Sequence, residues 1–284
     1  MKKTPVSTRF TRQFIKVNDQ VCFSALRQWE FEQTLAPLLI NQPGEFTPAV
    51  FSANPFAESI YRRIGELPAF SQEAEQVALR MGVIASIEHS LAYIEEVQTF
   101  RQSLVPSESD EIKDDAEEEQ LRRKIERWSG TSPPSGYFRT IGYFRLLRNH
   151  YAHVNESPHP AFKTYIKSYG TLLNRFWNNG VTDIHGIDFR TLATTMLTPD
   201  LAFGFMNVLR VSLRHIDELV SDTLSLTDAV RFILNEIYQS PRNRQLRTGR
   251  IASKVRARLR SEWNIELSRA VVADEIENII AVPS

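Results

Sequence analysis

QEAEQVALRMGVIASIEHSLAYIEEVQTFRQSL, residues 72–104, is the stretch whose reading decides the fold. Val77, Met81, Ile84, Ile87, Leu91 and Ile94 recur there at three- and four-residue steps, the stripe of a helix that turns one face to a core. Val105-Pro106-Ser107 ends it, because proline disfavours helix at the residue before it. Helical periodicity dominates the chain, least legibly over residues 1–70. No run of β-branched residues alternates as a strand would, so an all-α chain is expected.

Downstream, an acidic insertion at 107–119 is expected to be solvated. A short helix at about 117–128 then meets the break Thr131–Gly136, rich in serine and proline. A helix from about Tyr137 runs into FRLLRNHYAHVNE and is closed by Ser157, Pro158 and Pro160. Further helices are expected at about 161–179 and 199–223, the latter with Leu201, Phe205, Val208, Leu209, Leu213 and Ile216 inward. Ser225-Leu226-Thr227 reads as a cap that sets off three shorter helices, at about 227–239, 250–262 and 268–280. Upstream, helices at about 24–40 and 55–65 are separated by prolines. The expected division is an N-terminal extension at 1–70, a helical bundle at 71–224 and a small basic trihelical unit at 225–284.

With 42% hydrophobic and 24% charged residues, the 284-residue chain has the composition of a globular protein that buries a substantial core. No apolar run reaches the ~18–20 residues of a membrane span. The opening MKKTPVSTRF has no apolar stretch behind its lysines, so a cytoplasmic protein without a membrane partner is expected. The single cysteine, Cys22, excludes an intramolecular disulfide and a cysteine-rich zinc site. A formal charge of zero hides a strong asymmetry. Residues 108–119 hold eight acids and one lysine, whereas 242–260 hold eight bases and no acid. Such a basic run can follow a phosphate backbone, with Arg242, Arg244, Arg247, Arg250 and Lys254 as candidate RNA contacts. The alternative is a solvated helix face.

Three arginines precede a histidine by five residues: Arg145 with His150, Arg148 with His153, and Arg210 with His215. Only Arg148 is followed by a polar residue, Asn149, and only His153 follows a small one, Ala152. Arg148–His153 also ends a helix behind the aromatic-aliphatic run FRTIGYFRLL. This segment resembles the signature of HEPN proteins: an arginine, a polar residue, a short gap and a histidine. Glu88, on the long helix upstream, matches the acidic residue many HEPN proteins carry there. The resemblance covers residues 70–225 in layout, and its specific part is six residues plus Glu88. It implies a HEPN-like bundle and a metal-independent endoribonuclease, without cofactor, in which two motifs meet across a homodimer. Toxin–antitoxin or antiviral roles, with an antitoxin or sensor protein as further partner, would follow from the same family. Some HEPN toxins carry a modifiable tyrosine two residues beyond the histidine; this chain has Asn155.

The residue types suit that chemistry. RNA carries its own nucleophile, the 2′-hydroxyl. His153 can remove its proton or protonate the leaving 5′-oxygen, since imidazole titrates near neutrality. Arg148 offers a fixed charge and a planar fork to phosphate oxygens. Asn149 lies four residues before His153, on one helix face, whereas Arg148 and His153 are about 140° apart on an ideal helix. Tyr151 or Tyr137 can stack on a base. Against this stand blander readings. The motif can be an ordinary helix end, Glu88 a solvated glutamate like Glu95 and Glu96, and His89 a packed histidine. His150, His153 and Glu156 lack the fourth ligand of a metal site. Two other functions remain open: a catalytically silent HEPN scaffold or RNA-binding module, and a DNA-binding regulator using the C-terminal helices. The last is disfavoured by Asp274, Glu275 and Glu277 on what would be its recognition helix.

Overall fold

Thr4 and Pro5 start the chain's first helix. The Thr4 hydroxyl accepts from the Ser7 N–H, and proline sits where its missing N–H is not needed. The resulting helix, α1 (Pro5–Asn41), runs 37 residues. A computed structural model describes residues 3–106, 116–152, 159–178, 184, 186–191, 196–240 and 248–281. Among them there is no strand, only an isolated bridge between Phe46 and Arg63.

Two short turns, α2 (Thr47–Val50) and α3 (Ala57–Ile60), and a 3₁₀ turn at Ile64–Glu66 lead into α4 (Leu67–Leu104). The 38-residue α4 returns antiparallel along α1. Phe10 meets Tyr93, Phe14 meets His89, and Gln28 accepts from Ser71. Gly82 lets the two backbones approach, because a Cβ there would collide with Val21.

Here the structure corrects the sequence reading. The helix expected at 24–40 is only the second half of α1, and Pro37 lies inside it. No helix covers 55–65, where two separate turns stand instead. Val77 and Met81, expected in the core, are 61% and 59% exposed. They lie on the outward side of α4, which there turns Leu79 and Val83 inward and meets Leu197 and Tyr151 through Gln76 and Arg80. Ile87, Leu91 and Ile94, farther along, are buried as the stripe requires.

The rest of the bundle assembles on the second half of α4. It comprises α5 (Glu117–Ser129), α6 (Ser135–Ala152), α7 (Pro160–Trp177) and α8 (Pro199–Ser221). Its centre is aromatic. Tyr143 and Phe144 make edge-on contacts with each other and with Phe162, Phe189 and Phe205, at centroid distances of 5.0–5.4 Å. α4 itself touches α1, α5, α6 and α8. The segment Ile64–Leu104 is long and apolar enough to cross a bilayer by composition, but half of its most apolar window is buried against those neighbours.

Beyond Leu224, α9 (Leu226–Gln239), α10 (Thr248–Trp263) and α11 (Arg269–Ala281) enclose a second core. Ser225 and Asp228 form a reciprocal capping box at its entrance. Phe100 from the end of α4 packs on Phe232 and Trp263, joining this core to the long helix.

One buried carboxylate binds three of these elements. Asp217 of α8 accepts from the Thr4 N–H at 2.8 Å, the Thr4 hydroxyl at 2.5 Å and the Tyr93 hydroxyl at 2.8 Å. Asp217→Asn turns an amide NH₂ toward these donors and is expected to destabilise the fold by about 1–3 kcal/mol. Burial raises the Asp217 carboxyl above its ordinary range, against the pull of its hydrogen bonds. A folded-state value above the unfolded one means that the native state holds the proton to a higher pH than the unfolded chain does. That stabilisation is complete below the ordinary carboxylate range and is lost as pH rises through the raised value. Urea unfolding of both proteins in acid and at neutral pH should therefore show a deficit for Asp217→Asn that narrows as pH rises.

Candidate active site

The end of α6 crosses α4 where two charged side chains interrupt α4's apolar surface. Arg80 is the one charged residue between Glu75 and Glu88. On a helix, eight residues advance about 12 Å, so Arg80 and Glu88 stand two turns apart. As α6 advances from Arg148 to Tyr151, its partners on α4 step back from Glu88 to Arg80.

Arg148 Nε lies 3.3 Å from Glu88 Oε1, an ion-pair distance without hydrogen-bond alignment. Glu88 is half exposed, so this pair is accessible to a competing anion. The Arg80 guanidinium sits 5.9 Å from the centre of the Tyr151 ring. The Nε atoms of both Arg80 and Arg148 are shielded from water and lack a hydrogen-bond acceptor among the described residues. Between them, His150 is partly exposed. Its pKa is lowered, first by burial and then by the nearby Arg80 charge. Asn149 is exposed. His153 and Asn155 lie outside the described residues.

Tyr151 does not offer the stacking face expected of it. It is 8% exposed and belongs to the main core, and burial raises its hydroxyl pKa. Tyr137 is likewise buried and already stacked on His215, with centroids 4.6 Å apart. His215 also lies 3.3 Å from Glu218, while Arg210 donates to Asn207 at 2.8 Å, so the Arg210/His215 pair is engaged elsewhere. Arg145 is held by Glu118 at 3.0 Å. Glu118 is a buried residue at the end of the acidic stretch, which corrects the expectation that this stretch is solvated throughout. His89 is half-buried beside Phe14, its pKa lowered by burial against the opposing charge of Glu88.

The basic C-terminal run is less free in space than in sequence. Arg258 binds Glu236 and Glu262, and Arg260 lies 3.1 Å from Glu266. Arg250 and Lys254 are exposed one turn apart on α10. Arg242, Arg244 and Arg247 lie outside the described residues. Among those residues no three histidine, cysteine, aspartate or glutamate side chains gather as a metal site would need; His153 and Glu156 are not among them.

Arg80 was not singled out by its spacing from any motif. Its signal was a lone charge inside an apolar helix. If it sets the local field, Arg80→Gln should raise the His150 pKa in an NMR titration; an unchanged or lower value would remove Arg80 from the site's electrostatics. Comparison with family models, curated proteins and solved structures found no match to this chain, so the chemistry of the site rests on its own residues.

Proposed function

We propose that this chain is a metal-independent endoribonuclease of HEPN type, acting at the end of α6. The observation that carries this reading is the meeting of Arg148 with Glu88, the two residues that the motif resemblance pairs across different helices. The partial exposure of that pair supports it, since a phosphodiester oxygen can compete with Glu88 for the Arg148 guanidinium.

In this mechanism the 2′-oxygen attacks the adjacent phosphorus as His153 takes the hydroxyl proton. The bond to the 5′-oxygen breaks, and that oxygen receives a proton from an imidazolium. The products are a 2′,3′-cyclic phosphate and a 5′-hydroxyl. Arg148 neutralises charge gathering on the non-bridging oxygens, and Asn149 holds the phosphate or the imidazole. Glu88 acts as a positioning residue that keeps the Arg148 fork in place until a phosphate displaces it. His150, with its lowered pKa, is neutral at pH 7 and can accept a hydrogen bond from RNA. DNA lacks the nucleophile and is not cut. A cytoplasmic role in toxin–antitoxin or antiviral defence, with a partner protein in control, comes with the family resemblance alone.

The test is cleavage of total RNA and a tRNA pool in EDTA. His153→Ala should reduce cleavage about 10²–10⁴-fold, and Arg148→Ala on the order of 100-fold or more. Arg210→Ala and His215→Ala should leave it near wild type. Glu88→Gln should lower kcat more than it changes KM, as expected for loss of alignment rather than of binding. RNA bound but uncut by wild type would point to a silent scaffold. Loss of cleavage in the Arg210 and His215 variants alone would sink the assignment to Arg148.

A further inference from the structure

Most of α1 has a single long neighbour, yet it is apolar on two sides. Phe10, Phe14, Val17, Val21 and Leu35 face inward and are buried. On an ideal helix of 100° per residue, Ile15, Cys22, Leu26 and Trp29 cluster on a second side, about 125° round from the first, with Phe23 at its margin. Ile15, Phe23, Leu26 and Trp29 are between 50% and 61% exposed, although Ile15 also borders a cleft against Phe203 and Met206 of α8. Scattered surface hydrophobics need no explanation, but four large ones along one helix face mark an interaction surface.

The charges along one margin of this face identify its occupant. Lys16, Asp19, Arg27 and Glu30 are all exposed, and none makes an ion pair among the described residues. A second α1 laid antiparallel, with a two-fold axis at Phe23, sets Lys16 opposite the second copy's Glu30 and Asp19 opposite its Arg27. Each contact occurs twice, and every one joins opposite signs. Ile15 then lies near the other Trp29, and the two Cys22 side chains come together close to the axis. A parallel two-fold pairing would instead set the two charged margins on opposite sides of the seam, where they could not pair. We infer that the outer face of α1 is a self-complementary homodimer interface, formed by antiparallel packing of two copies about Phe23. Closed two-fold contacts have this isologous character: the same patch serves both partners. A membrane surface fits less well, because Asp19 and Glu30 lie along the same margin and would meet anionic headgroups.

The HEPN resemblance also implies a homodimer, joined at the α6 motifs; the interface on α1 is a different one, and its test does not measure activity. Sedimentation equilibrium of the full chain should show a dimer. Leu26→Glu combined with Trp29→Glu should give a monomer of unchanged helical circular dichroism. Lys16→Glu and Glu30→Lys should each weaken association several-fold. Together they should restore it, because the swapped charges meet across the axis. A short bismaleimide should cross-link wild type through Cys22, and Cys22→Ser should abolish the product. A monomeric wild type, a dimer indifferent to the Leu26 and Trp29 changes, or a charge-swapped protein no tighter than its parents would overturn the proposal. So would a wild type that remains monomeric and binds phospholipid vesicles.

Discussion

A carboxylate buried without a cation is the constraint around which this chain is organised. Asp217 is 1% exposed and has no ion-pair partner among the described residues. Its burden is carried by hydrogen-bond donors, two of them from Thr4 and one from Tyr93. Thr4 is also the cap of α1, so the positive end of a long helix dipole points at the same carboxylate. An acid so placed tolerates little displacement, because an unsatisfied buried charge costs several kcal/mol. The start of α1, the middle of α4 and the end of α8 are thereby fixed to one another, and the C-terminal core is held close by, where Lys3 donates to the Trp263 carbonyl at 3.1 Å.

What α8 fixes in α4, α4 passes on to the candidate site. Arg80 and Glu88 belong to the same helix as Tyr93 and project where the end of α6 crosses. The orientation of α6 is set independently by Arg145 and Glu118, and by the Trp177 indole donating to Thr140 at 2.9 Å. The site is therefore built on rigid helices rather than on a loop, which favours reproducible geometry for Arg148. Its electrostatics are mixed by design of the sequence: two arginines, one carboxylate and a histidine kept neutral. Such a cluster holds a resting ion pair that is open to competition from solvent and anions.

How much of this could be read from the residues depended on whether the cause was local. Proline and cap residues act within one turn, so the starts of α7, α8 and α9 stood out at Pro160, Pro199 and Ser225. The inward stripe of α8 was equally plain, because one side faces the core and the other water. Glu88 came from a motif pattern, and its contact with Arg148 is local to one helix crossing. The failures had distant causes. Asp217 is explained by Thr4 and Tyr93, and the burial of Glu118 by Arg145; neither pairing leaves a trace in the intervening sequence. Tyr151 sits in a motif that suggested RNA contact, but the packing of the bundle took its ring. Val77 and Met81 belong to a periodic stripe, but there α4 turns the neighbouring side with Leu79 and Val83 inward, and periodicity carries no record of which of two apolar sides the neighbours cover.

The reading of α1 failed for a different reason, and that reason is physical. A helix with one apolar face announces itself through a strong period, and a helix with two separate apolar faces partly cancels its own signal. Phe10, Phe14, Val17 and Val21 make a seven-residue pattern, but Ile15 falls inside it, and Phe23, Leu26 and Trp29 follow on another side of the helix. The result reads as undifferentiated sequence broken by a proline. Only one of those faces has a partner within the chain. An isolated helix gains little from propensity alone, so a 37-residue helix with a large exposed apolar face requires a reason for that exposure. A conflict between local pattern and the isolated fold usually marks a function that the fold does not contain. The blurred period of α1 is what a sequence looks like when one helix must satisfy two interfaces, one inside the molecule and one outside it.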